Sequence, residues 1–163
     1  MNWRMRAKNV LVLLVLCAAC SDSGVSRSSS GVVTKAGPES VFKMQPGDCI
    51  NPPTKLPDPA KPELEDIEVL PCSQAHTHEL YATVDWVEGD VYPGPTKLQG
   101  FADGACLDQF ETYVGIPYVD SSLRFSYLFP SLRSWNDGKD RTVLCLIVAT
   151  DKKLTESARG AGI

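Results

Sequence analysis

The chain has 163 residues, 43% of them hydrophobic, with 20 acidic and 16 basic residues and a net charge of −4. This length supports one domain with a core of ordinary size. An acidic chain gains nothing from the counterion release that drives nucleic-acid binding, so no nucleic-acid partner is expected.

Arg4, Arg6 and Lys8 make a basic start, Val10 to Leu16 form a short apolar run, and Ala18 and Ala19 precede Cys20. That order is a secretory signal, too short to span a membrane and ending in small residues. Small residues followed by cysteine resemble the bacterial lipobox, in which the cysteine thiol receives a diacylglycerol and becomes the mature N-terminus. Cys17 stands where leucine is usual. Residues 1–19 are read as a lipoprotein signal peptide and Cys20 as the lipidation site; the alternative is an ordinary signal cut after Ala19. Removing the signal takes away three basic residues and no acidic one, leaving the mature chain more negative still. Its expected place is the extracytoplasmic face of the cell membrane, held there by acyl chains and not by charge.

Residues 20–40 are dominated by Ser and Gly and carry few apolar groups, so they read as a flexible tether. The folded domain is expected over 41–150. It opens on Val41–Met44 and Gly47–Ile50, flanking a Pro46-Gly47 turn. Residues 51–62 hold five prolines and read as a surface loop. Ile67–Leu70 and Leu80–Trp86 are strand candidates rich in β-formers, the first ended by Pro71.

A helix follows. Thr96 with Gln99 three residues on has the form of a capping box, and residues from Leu98 to Tyr113 recur at helical spacing. Gly115 supplies a left-handed stop and Pro117 prevents continuation. Gly100 and Gly104 each weaken the helix by about 1 kcal/mol, which close approach to a sheet would explain. Leu123 to Phe129 alternates as a strand, and Ser131 to Trp135 has room for one helical turn. Thr142 to Val148 is apolar on both faces and reads as a central strand. Residues 151–163 read as a polar, frayed tail. The fold class is α+β, an antiparallel sheet with one amphipathic helix packed on one face.

Cys49, Cys72, Cys106 and Cys145 remain after the signal and Cys20, and an even number in an exported chain reads as two disulfides. Sequence permits three pairings. Cys106 lies on the helix's apolar stripe and Cys145 in mid-strand, which favours Cys106–Cys145 and leaves Cys49–Cys72 to close across the Pro-rich loop.

His76 and His78 are the two histidines. If extended, they point the same way and Glu79 the other. An H-x-H pair is a fair metal fork, but zinc needs a third and usually a fourth ligand, and no spacing selects Asp48, Asp85 or Asp103 for that part. No metal or cofactor is therefore assigned, and His76 capping a turn with His78 solvated is the simpler reading. Glu63, Glu65, Asp66 and Glu68 read as a solvated charged face and not as paired glycosidase carboxylates. Neither a G-x-S-x-G elbow nor a dinucleotide glycine pattern occurs. Trp86, Tyr92, Phe125, Tyr127 and Trp135 either line a groove or pack in the core.

Gly47-Asp48-Cys49, then Val69-Leu70-Pro71-Cys72 with His76 and Glu79 following, resembles the septum formation-related domain of actinobacterial envelope lipoproteins. Ala105-Cys106, Phe110, Tyr113-Val114-Gly115, Ser121-Ser122-Leu123, Pro130, Ser134-Trp135 and Arg141 to Leu146 extend the likeness over residues 41–149. Ala75 stands where the family often has proline, and His78 is an addition. The resemblance implies an extracytoplasmic domain associated with septum formation, and it makes His76 and Glu79 the candidate binding residues. Without an implied reaction, the expected function is a binding or scaffolding role in septum formation or cell-wall assembly, with envelope or division proteins as partners. The alternative is a metal-dependent hydrolase or metal-binding protein using His76, His78 and Glu79.

Overall fold

The structure, a computed structural model, describes residues 24–52 and 65–163. The signal segment, Cys20 and most of the Pro-rich loop lie outside the described residues. The elements in chain order are β1 (Ser26–Arg27), β2 (Val33–Lys35), β3 (Gly37–Ser40), β4 (Cys49–Ile50), β5 (Asp66–Leu70), β6 (His78–Asp85), α1 (Pro95–Val114), β7 (Arg124–Leu128), α2 (Leu132–Asp137) and β8 (Thr142–Val148). Single 3₁₀ turns occupy Val41–Lys43 and Tyr118–Asp120. Among these residues no helix is long and apolar enough to cross a membrane.

Six strands form one antiparallel sheet in the order β3-β5-β4-β6-β8-β7. β8 lies between β6 and β7, and its middle five residues are buried, as a strand apolar on both faces requires. The β6–β8 register shifts between Leu80 and Ala82. That bulge turns Tyr81 and Ala82 into the same core, beneath α1.

α1 covers one face. Leu98, Ala102, Cys106, Phe110 and Val114 are buried at every fourth position, with Tyr113 beside them. From Ala102 onward they pack on Tyr81, Val143, Cys145 and Ile147, and Phe125 of β7 meets Phe110 at the rim. The helix does not start at a Thr96 cap. Gly94 occupies the cap position at φ 88° with no side-chain cap bond, and Pro95 opens the first turn, where its missing N–H costs nothing. Gly115 ends the helix at φ 94°, donating to the Glu111 carbonyl, as the sequence predicted. Gly100 and Gly104 do not approach the sheet: both are exposed, and an added Cβ would meet nothing within 4 Å. α2 carries a full capping box between Ser131 and Ser134, and with it Trp135 joins Trp86 and Leu98 in a small third cluster.

The opposite face is where the sequence reading of residues 20–40 is overturned. From Gly24 onward these residues fold onto the domain. β1 and β2 form a small hairpin, and β3 adds to the sheet edge beside β5. Val33 and Val41 are buried with Ile50, Ile67, Val69, Leu80 and Leu146. Arg27 anchors the segment through a two-pronged pair with Asp48, its Nη2 lying 2.8 Å from Oδ2. The hydrogen bond that Arg27 donates to Asp48, opposed by partial burial, raises the Arg27 pKa above its ordinary value. Low apolar content misled because one well-placed valine and one arginine suffice when a sheet face and a buried carboxylate already await them.

The other correction concerns 151–163. His76 and Leu154 form an isolated bridge, with N···O distances of 2.8 and 2.9 Å in the two directions. Gly160 and Gly162 donate to the carbonyls of Tyr113 and Val114 at the C-terminal end of α1. Ala158 is buried in the core under the helix. These hydrogen bonds, invisible to a count of polar residues, turn the polar tail into a strap.

Candidate functional site

Both disulfides form as the sequence favoured, Cys49–Cys72 with Cα atoms 5.3 Å apart and Cys106–Cys145 with 5.5 Å. The second ties α1 to the central strand deep in the core. The first sits at the other end of the sheet, where β4 runs between β5 and β6. Cys49 pairs with Leu70 on one side and Glu79 on the other, so the short strand brings Cys49 next to Glu79 and to the chain leaving β5.

His76 and Glu79 join that disulfide. The ligand atoms of Cys49, Cys72, His76 and Glu79 all lie within 4.8 Å of one another. Both side chains are fully buried, at 0% exposure. His76 Nδ1 lies 2.8 Å from the Gln74 carbonyl. A carbonyl only accepts, so Nδ1 carries a proton, and in the neutral ring Nε2 is then the acceptor. Nε2 is buried and has no hydrogen-bond partner among the described residues.

Glu79 is held more completely. Its Oε1 accepts from Tyr113 Oη at 2.6 Å and from Ser157 Oγ, and its Oε2 accepts from the Ala158 amide at 2.6 Å. Burial first, and then the Glu79 hydrogen bond, push the Tyr113 hydroxyl well above the ordinary tyrosine range, so it remains a donor. The Arg159 guanidinium lies over the Tyr113 ring, 4.3 Å from its centroid. The strap at 151–163 therefore closes the site from outside.

The histidine fork is not formed. His76 enters the buried cluster, while His78 stays outside it, half-buried, with its Nδ1 2.9 Å from Thr77 Oγ1. Burial lowers the His78 pKa below its ordinary value. In the simpler reading, His76 does bond the turn carbonyl of Gln74, but from a fully buried position, and His78 is half-buried where solvation was expected.

The carboxylates considered as extra ligands are engaged elsewhere. Asp48 holds Arg27, Asp85 accepts from Thr142 Oγ1 at 2.7 Å, and Asp103 accepts from Tyr127 Oη at 2.8 Å. Glu65, Asp66 and Glu68 are exposed along β5, as a solvated face should be, and Glu63 lies outside the described residues.

A second feature was not legible in the sequence. The N-terminal segment covers only part of its sheet face, leaving an open groove of about 1050 Å³. Phe42 and Met44 stand on one side, Leu128 and Phe129 on the other, with Thr83 and Leu144 between them. Asp85, Lys139, Asp140 and Arg141 add charges of both signs. Of the five aromatic residues singled out from sequence, Trp86 lines this groove. Tyr92 and Trp135 meet edge to face, Phe125 packs on Tyr118, and Tyr127 leans on Phe129.

No curated protein and no solved structure matches the chain. The family model described as septum formation matches residues 46–161, from the Pro46-Gly47 turn through the strap that covers Glu79. With most of its length matched, and with the paired cysteines, His76 and Glu79 inside the match, the chain belongs to the septum formation family.

Proposed function

We propose that this protein serves septum formation as a lipid-anchored extracytoplasmic domain that binds an envelope or division protein. Family membership links the chain to septum formation. The observation that carries the rest is the pair of disulfides, one buried in the core and one at the sheet end, because such bonds persist in oxidising compartments. The basic start, apolar run and Ala18-Ala19-Cys20 supply the export signal and the acyl site.

The binding surface is the open groove, and its occupant is an extended segment of a protein partner. The groove is bordered by Leu128 of β7, one of the two edge strands of the sheet. Edge strands accept added strands through backbone hydrogen bonds, while pockets beside them select side chains. Its apolar floor and mixed-sign rim fit a polypeptide better than a charged small molecule. The hydrolase alternative loses support because His78 lies apart and His76 and Glu79 are sealed from substrate.

Two measurements test this reading. Cys20→Ser moves the protein from the membrane fraction to the soluble extracytoplasmic fraction and abolishes acyl labelling; retention with labelling unchanged refutes the anchor. A photo-crosslinker at position 128 in living cells captures division or wall-assembly proteins, whereas one on the exposed face of α1, at Asp108, does not. Equal capture at both positions refutes the groove.

A further inference from the structure

Cys49, Cys72, His76 and Glu79 form a four-residue donor set at the end of the sheet. We propose that it is a redox-gated zinc site, closed while Cys49–Cys72 is a disulfide and opened when a dithiol reduces that bond. The inference is independent of the lipid anchor and of the groove.

The buried imidazole is the first reason. An acceptor with no partner at 0% exposure is destabilising and calls for an explanation. A neutral histidine that donates its other N–H to a backbone carbonyl has the tautomer and the fixed ring that metal ligation uses. His76 Nε2 is thus prepared to ligate, and no described residue uses it in the disulfide state.

Glu79 is the second. A carboxylate has about four acceptor sites, and three donors occupy three of them. One acceptor site on Oε2 remains. Tyr113, Ser157 and Ala158 then become the outer shell that orients a metal-binding carboxylate.

The third is access. Cys72 is partly exposed, whereas Cys49, Cys106 and Cys145 are fully buried. A thiolate from solvent reaches Cys72 Sγ first, and the Cys106–Cys145 bond under α1 stays closed. Attack on Cys72 Sγ breaks the Cys49–Cys72 bond and expels Cys49 as a thiolate. The second thiol of the reductant resolves the mixed disulfide and leaves as part of a cyclic disulfide. Two electrons pass from dithiol to protein, and two protons reach the cysteines.

Zinc binding then releases those protons to solvent, since thiolates are the ligands. Two thiolates, one imidazole and one carboxylate make a four-coordinate set suited to zinc, with Zn–S near 2.3 Å and Zn–N near 2.0 Å. The two sulfurs must separate to roughly 3.8 Å for tetrahedral angles at that bond length. Side-chain rotation at the partly exposed Cys72 supplies that movement. Exchange with a cyclic disulfide, which takes up the two electrons and leaves as a dithiol, re-forms the Cys49–Cys72 bond, removes both thiolates and expels the metal.

The test uses the full chain purified in its disulfide form. Zinc is titrated against a chromogenic chelator before and after treatment with dithiothreitol and its anaerobic removal. The oxidised chain should bind no zinc and the reduced chain one equivalent, with Cys49 and Cys72 protected from alkylation by the metal. Cobalt in place of zinc should give thiolate charge-transfer absorption. His76→Ala should weaken binding about 100-fold or more. Tyr113→Phe, which removes one hydroxyl and no ligand, should weaken it about tenfold. The proposal is overturned if the reduced chain binds no zinc, if it unfolds whether or not zinc is present, if the oxidised chain binds equally, or if both substitutions leave binding unchanged.

Discussion

Arg27 and Asp48 show how much a single pair of side chains can decide. Asp48 is fully buried, and Arg27 meets both of its oxygens, while the Gln45 amide adds a third hydrogen bond at 2.8 Å. Removing the arginine strands a carboxylate out of water, a change that costs about 3 kcal/mol or more. Arg27→Ala should therefore lower the unfolding free energy by about that amount in chemical denaturation, and should free residues 24–40 to proteolysis. Combining it with Asp48→Asn should cost less than the two single changes added together, because the double variant buries no unpaired charge. At the same scale, His76 and Glu79 were singled out from sequence as a family pair of unassigned role. What the sequence did not contain was their distance from the disulfide. Cys49 and Glu79 are thirty residues apart along the chain and become neighbours only because β4 pairs with β6.

The long helix marks the boundary between local and tertiary information. Its length and stop follow from apolar spacing and from Gly115, and both are present in the structure. Its start does not follow from the capping-box pattern, since Pro95 one residue earlier already fits the first turn and displaces Thr96 from the cap. Gly100 and Gly104 face solvent with open space around them. Each should therefore accept alanine with a gain of roughly 0.5–1 kcal/mol, read as a higher midpoint of denaturation. A loss of stability on either change would mean that the exposed side of α1 packs against something. β8 was legible for a different reason: seven residues apolar on both faces have few alternatives to the middle of a sheet.

At the scale of the whole molecule, the two segments read as loose ends bind the domain together. The N-terminal segment roofs part of one sheet face, and the C-terminal strap seals Glu79 on the other. Deleting residues 154–163 removes two of the three donors to a buried carboxylate, and hydrogen bonds to charged groups contribute about 1.5–3 kcal/mol each. The truncated chain should lose roughly 3 kcal/mol or more of stability by denaturant unfolding; a frayed tail would be lost without effect. The sequence by itself determined the α+β class, the helix, the central strand and the preference for both disulfides. Each of those rests on a local pattern or on a count that survives without knowledge of neighbours. Tertiary structure alone decided that residues 24–40 and 151–163 dock, that His76 joins the disulfide while His78 does not, and that a groove stays open beside β7. Those outcomes depend on single long-range contacts, such as Arg27 to Asp48 and Ala158 to Glu79, which composition averages away and periodicity cannot register.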